Sequence, residues 1–133
     1  MLVVIDTNIL VSALWSRNGA PARVVGLVLS GHLTPCYDHR IMLEYRQVLQ
    51  RPKFRFRPAE ITTLLDWIKL AGHSVVSAPA EVSFADGADR KFYDVAKYCG
   101  AVLITGNLKH YPGDDTVMSV SDFFEQNRWT ATQ

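Results

Sequence analysis

The stretch Leu2-Val3-Val4-Ile5-Asp6-Thr7-Asn8-Ile9-Leu10 decides the fold. A short β-branched run ending on an acid reads as a buried parallel strand. Ile9 and Leu10, continued at helical spacing by Ala13 and Leu14, then predict a helix over Asn8–Trp15. In open α/β sheets ligands bind beyond the carboxyl ends of the strands, which aims Asp6 into a site. A carboxylate at the apolar end of a sheet is costly unless it is paired, hydrogen-bonded or bound to a cation. Asp6 therefore needs company.

Outward from that stretch, strands and helices alternate. Pro21 opens a second helix with an apolar run from Val24 to Leu29, and Leu33–Tyr37 is a second strand. Asp38 is placed to cap a helix carrying Ile41, Met42, Tyr45, Val48 and Leu49, which Pro52 stops. Pro58 starts a helix that runs to Gly72, and His73–Ser77 is a third strand. Asp89 caps a helix ended by Gly100, and Ala101–Thr105 is a fourth strand. Thr116–Ser119 reads as a short edge strand, and Asp122 with Glu125 as the cap of a final helix. This βαβ rhythm predicts a three-layer α/β/α sandwich around a mainly parallel, Rossmann-like sheet.

The totals narrow the class. A length of 133 residues fits one domain spanning 1–133, able to bury a core without disulfides. With 48% hydrophobic and 20% charged residues, the chain is globular rather than disordered. No apolar run is long enough to cross a membrane, and no basic leader precedes the first strand, so a cytoplasmic protein is expected. Cys36 and Cys99 lack metal-ligand spacing and read as core thiols. Net charge is only +1, but Arg40, Arg46, Arg51, Lys53, Arg55 and Arg57 share a stretch in which Glu44 is the one acid. Ordinary solvated faces explain such a split; so does a polyanion held beside a cation site.

Single acids have plain explanations. Asp89 serves as an N-cap, Glu44 as a surface helical acid and Asn107 as a turn residue after Gly106. Together they form a pattern. Asp6 ends the first strand, Asn107 follows the fourth, Asp89 opens the helix leading into it, and Glu44 borders the apolar stripe of its own helix. Acids gathered at one sheet edge repel one another unless a divalent cation neutralises them, and oxygen-only ligands select Mg²⁺ or Mn²⁺. Phosphodiester hydrolysis is the chemistry such ions serve best.

Four blocks carry a resemblance. VVIDTNILVSAL (3–14), LEYRQVLQRPKF (43–54), the segment from Asp86 through DRKFYDVA (89–96) and GAVLITGNLKHYP (100–112) resemble, in order and spacing, the PIN domain, most of all its VapC-type toxin branch. The resemblance implies a Mg²⁺- or Mn²⁺-dependent endoribonuclease, a homodimer or higher oligomer, and a cognate antitoxin protein as partner. It places the catalytic, metal-binding acids on Asp6, Glu44 and Asp89. Thr7 and Asn8 match the small polar residues that support the first acid, and Thr105 the hydroxyl residue before the fourth site. The fourth acidic position is Asn107, which brings an amide without charge; Asp86 is the auxiliary best placed to compensate, because Asp94 turns away on its helix.

Arg51-Pro52-Lys53-Phe54-Arg55-Phe56-Arg57 alternates cations with aromatics. Such a loop can grip single-stranded RNA through phosphates and stacking, or its phenyl rings can pin it to the core. Lys109 and His110 follow the fourth polar position and are further candidate phosphate contacts, a solvent-facing role being the plainer reading of His110. His32, His39 and His73 lack ligand spacing, and Trp15, Trp67 and Trp129 are read as packing residues. The apolar Val24–Leu29 face suggests a dimer contact.

Other classes fit less well. A haloacid dehalogenase phosphatase needs a second aspartate where this chain has Asn8, and a dinucleotide-binding enzyme needs a GxGxxG that is absent. A catalytically weakened PIN-fold module that binds RNA or a protein partner is the remaining alternative.

Overall fold

The computed structural model describes residues 1–79 and 87–127. The strands are β1 (Leu2–Ile5), β2 (Thr34–Tyr37), β3 (His73–Ser74), β4 (Val102–Ile104) and β5 (Val117–Met118). The helices are α1 (Thr7–Trp15), α2 (Ala20–Leu29), α3 (His39–Leu49), α4 (Pro58–Ala71), α5 (Arg90–Cys99) and α6 (Val120–Asn127). Among the described residues these make one five-stranded sheet in the order β3-β2-β1-β4-β5. Every neighbouring pair is parallel, with Val3 opposite Pro35 on one side and Val102 on the other. This is the α/β architecture predicted from the alternation of elements.

Strand order and handedness together place the helices. The chain moves one way along the sheet from β1 through β2 to β3, then returns across β1 to β4. Right-handed crossovers put α1 to α4 on one face and α5 on the other. α5 accordingly packs on β1, β2 and β4, while α1 packs on α2 and α3. Val3, Val4 and Ile5 are fully buried, as a central parallel strand covered on both faces requires. α5 closes the opposite layer with Phe92, Val95 and Ala96, all inaccessible to water. It stops at Gly100, whose φ of +65° is a left-handed cap that favours glycine.

Several predicted boundaries move. β3 is limited to two residues, His73 and Ser74, both exposed at the sheet edge, rather than running to Ser77; the Val75 N–H still donates to Tyr37 O at 2.9 Å, and the pairing ends there. The last helix begins at Val120, and its cap is the Ser119 hydroxyl, which accepts from the Asp122 main-chain N–H at 3.1 Å. Asp122 is thus the acid three residues after the cap, not the cap itself. Asp38 does cap α3, its Oδ1 accepting from Ile41 N–H at 2.9 Å. The 51–57 segment contains a single 3₁₀ turn, Pro52–Phe54. Of the expected dimer face, Val24, Leu27 and Val28 enter the core. Val25 and Leu29 instead line a groove of about 720 Å³ that α2 shares with α1 and α4.

Candidate active site

In a sheet of this order the chain reverses direction beyond β1 and β4, and the crevice at their carboxyl ends is the place where such folds bind ligands. Asp6 and Thr105 are the residues immediately after those two strands. The Asp6 main-chain N–H donates to Ile104 O at 3.0 Å, so the strand pairing itself carries Asp6 to the rim. Its side chain is 5% exposed. Two hydroxyls, those of Thr105 and Tyr111, each donate to Asp6 Oδ2 at 2.8 Å. The Thr105 hydroxyl in turn accepts from the Asn107 N–H at 2.9 Å, so the turn after β4 orients it toward the acid.

The electrostatics follow from that burial. Loss of water pushes the Asp6 carboxyl above its ordinary range. The hydrogen bonds from Thr105 and Tyr111 pull it back, and the negative charges of Asp89 and Glu44 push it up again. The Tyr111 phenol is driven far above its usual value by burial and by Asp6 beside it, with Asp89 and Glu44 acting in the same direction. Tyr111 therefore remains a hydrogen-bond donor to Asp6 throughout the neutral range. Three carboxylates from three separate elements thus act on one buried point.

Glu44 comes from α3 and is half-buried, as its place at the margin of the apolar stripe predicts. Its neighbour Tyr45 is buried and sends its hydroxyl to the main-chain carbonyl of Ile5, which fixes α3 against the end of β1. The Thr7 hydroxyl donates to Glu44 Oε2, and Lys91 Nζ lies 2.8 Å from Glu44 Oε1. Thr7 thus supports the second acid rather than the first. Asn8, the other residue expected to support Asp6, accepts from the Gly106 N–H at 3.0 Å and ties the start of α1 to the turn after β4. Asp89 precedes α5 but makes no side-chain cap; its backbone is helical, and Oδ2 meets His110 Nδ1 at 2.9 Å instead. His110 is thus tied to the third acid, whereas its plainer sequence reading faces solvent.

The remaining predicted residues divide. Asn107, Lys109 and His110 line a cavity of about 750 Å³, together with Asn8, Ser12 and Ser119. Arg51, Lys53, Arg55 and Arg57 are all exposed on the turn between α3 and α4, away from that cavity. Phe54 and Phe56 are half-buried and stack on each other with centroids 5.5 Å apart. Asp86 and Trp129 lie outside the described residues. Asp94 is turned away as expected and is buried beside Arg90 at 3.5 Å and Arg40 at 3.9 Å.

Sequence reasoning missed Tyr111, Lys91 and Tyr45. A tyrosine closing the polar turn after β4, and a lysine two residues past an acid, were the available signals. Neither is distinctive, because their partners are distant in the chain.

The oxygen-only donor set of Asp6, Glu44 and Asp89 suits a hard divalent cation. Asp6 Oδ1 is uncommitted among the described residues. Glu44 already pairs with Lys91 and Asp89 with the His110 ring, and among the described residues no three acid, histidine or cysteine groups close around a common metal position. The donors fit the ion in kind, with Lys91 and His110 as its competitors.

The PIN domain signature matches residues 2–109, which takes in β1 through the turn carrying Asn107. The chain belongs to the PIN domain family. PIN domains are generally nucleases, act on nucleic acids and generally use divalent metal ions. A relative in Methanocaldococcus jannaschii, an uncharacterized protein, is 29% identical over 108 residues, covering 79% of this chain and 70% of the archaeal one. In this PIN domain, no helix among the described residues is long and apolar enough to cross a membrane.

Proposed function

We propose that this PIN domain is a Mg²⁺- or Mn²⁺-dependent endoribonuclease, with Asp6, Glu44 and Asp89 as metal ligands and Asn107 as a fourth, uncharged participant. The observation that carries the reading is Asp6 itself. It is a carboxylate buried at the switch point of the sheet, and two further acids raise the cost of its charge. A divalent ion, when bound, supplies an activated water and stabilises negative charge building on the phosphate. Thr105 and Tyr111 hold Asp6 in place for it, and Thr7 does so for Glu44. Lys109 and His110, on the wall of the adjoining cavity, are positioned for substrate phosphates.

The biological role that best accommodates these features is the toxin of a type II toxin–antitoxin pair, acting in the cytoplasm as a homodimer and neutralised by a cognate antitoxin. The resemblance of the four sequence blocks to VapC-type toxins supports it. The apolar groove lined by Leu14, Val25, Leu29, Leu64 and Trp67 offers surface for a protein partner.

A specific observation favours a second reading. Lys91 and His110 already pair with Glu44 and Asp89, and position 107 carries no charge, so the acids are partly satisfied without an ion. That arrangement suits a PIN-fold module that binds RNA or protein without cutting. RNA incubated with Mn²⁺ and wild type, Asp6→Asn, Glu44→Gln or Asp89→Asn separates the two. The nuclease reading expects cleavage by wild type alone. Absence of cleavage by wild type, with wild type and Asp6→Asn equally harmless on expression, would leave the binding module.

A further inference from the structure

Trp15 is the last residue of α1, and 65% of its surface is open to water. The sequence reading makes it a packing residue; its position says otherwise. The indole is nevertheless held. It stands at 81° to the Phe54 ring with centroids 5.4 Å apart, and at 85° to the Phe56 ring at 6.3 Å. Those two phenyl rings lie nearly parallel to each other. Between them Arg55 adopts φ +56°, a left-handed backbone that costs an L-residue on the order of 1 kcal/mol, and the paired rings on either side hold it there. An exposed aromatic fixed in advance loses little freedom when something stacks on it.

The surroundings are cationic. Arg51, Lys53, Arg55 and Arg57 are exposed on the same turn, and no acid occurs between Glu44 and Glu60. The Lys53 ammonium sits 5.1 Å from the centre of the Phe54 ring. The nearest acid tied to the end of α1 is Glu60, which is already paired with Arg17, so an open aromatic surface beside four exposed cations complements a polyanion that also carries flat rings. Phosphates answer the cations and a nucleobase answers the indole. Bases present their faces only where the strand is unpaired, so the matching form is single-stranded.

The platform and the acidic pocket share their supports. α1 begins beside Asp6 and ends at Trp15, a rise of about 13 Å for a helix of this length. α3 carries Glu44 and leads into the turn that holds Arg51. We propose that Trp15, braced by Phe54 and Phe56, is a base-stacking platform for single-stranded RNA, with the cations of the 51–57 turn holding its phosphates. This deepens the nucleic-acid reading given above and rests on it. It adds a contact that sets how tightly substrate binds, separate from the acids that act on the phosphodiester.

The test is binding of an end-labelled single-stranded oligouridylate and of a blunt RNA duplex of equal length, followed by anisotropy in EDTA. Wild type, Trp15→Ala and Trp15→Phe are compared, and a second arm measures cleavage with Mn²⁺. Trp15→Ala should weaken single-strand binding roughly 5- to 150-fold, the usual worth of one stacked base, while Trp15→Phe retains most of the affinity. In the cleavage arm Trp15→Ala should raise KM and leave kcat near that of wild type. Equal affinity of wild type and Trp15→Ala overturns the platform. So does tighter binding of duplex than of single strand, or a Trp15→Ala change confined to sedimentation, which marks a protein interface instead. Trp15-dependent binding without any cleavage defeats the nuclease reading and leaves the platform standing. Cleavage with Trp15-independent binding does the reverse.

Discussion

The Tyr111 hydroxyl donates to Asp6 Oδ2 at 2.8 Å, although Tyr111 lies beyond β4 and Asp6 directly follows β1. This bond closes the crevice at the switch point from the side of the turn that carries Asn107, Lys109 and His110. It shares its acceptor with Thr105, so one carboxylate oxygen is fully occupied and the other is left for an incoming ligand. Replacement of Tyr111 by Phe keeps the ring and removes only the donor. A hydrogen bond to a buried charged group is worth about 1.5–3 kcal/mol. Tyr111→Phe is therefore expected to lose about that much in urea unfolding at neutral pH in EDTA. A loss within error of zero shows that Thr105 alone satisfies the acid.

The charge on Asp6 itself weakens the fold. Its carboxyl is raised by burial above the ordinary value of 3.8, with the nearby acids adding to the effect. A group raised in the folded state contributes stability that is complete below its unfolded value and is lost as pH rises through its folded value. Asp6 is thus a burden at neutral pH and none in strong acid. Both hydroxyl donors converge on one oxygen, which the amide oxygen of an asparagine can replace. Asp6→Asn in EDTA is expected to melt a few degrees above wild type at pH 7. The gap should close as pH falls below about 4. Thermal scans of both proteins across that range decide it; a constant gap means the benefit is not electrostatic.

How far the sequence led can be argued from single positions. The strand ending at Asp6 was legible because a β-branched run stopping on an acid has few other uses, and the order of elements then dictated the sheet. The half-buried setting of Glu44 was legible from its position at the margin of the apolar stripe of α3. Trp15 was not, since a tryptophan at the end of an apolar helix looks the same whether it is covered or open. Asp89 was read both as a cap and as the third acid; the cap is absent because the distant His110 holds its side chain instead. Lys91 and Tyr111 act through partners on other elements, Glu44 and Asp6, and no local pattern encodes such pairings. Thr7 was matched to the wrong acid for the same reason: its neighbour in sequence is Asp6, but its neighbour in space is Glu44.

Two glycines offer opposite outcomes for one substitution. A Cβ built on Gly72, where α4 turns into β3, falls 2.5 Å from both the Ile68 and the Pro35 carbonyl oxygens. Neither can retreat, because one belongs to α4 and the other to β2. Gly72→Ala is expected to cost about 3 kcal/mol or more in chemical denaturation, at the upper end of what overpacking costs. Gly26, within α2, has nothing within 4 Å of the added atom. There Gly→Ala removes backbone freedom from the unfolded chain and should stabilise by about 0.5–1 kcal/mol. If both substitutions prove neutral, the packing of α4 on β2 is looser than drawn.

Lys91 occupies the oxygen that a cation needs. Its ammonium lies 2.8 Å from Glu44 Oε1, while Thr7 donates to Oε2, so an ion approaching Oε1 meets the positive charge of the lysine there. A partly exposed ion pair of this kind is worth up to about 1 kcal/mol, a small barrier for a divalent ion attracted by three acids at once. Lys91→Met removes the competitor and keeps the aliphatic stem against Phe92, over which the ammonium now sits at 5.1 Å. Calorimetric titration with Mn²⁺ is expected to show binding tightened by roughly fivefold, the equivalent of that 1 kcal/mol. Glu44→Gln should weaken binding in the same assay, since an amide supplies an oxygen without the charge. Weaker binding in Lys91→Met would mean that the lysine orients Glu44 for the ion rather than opposing it, and the pair would then count among the supports of the site.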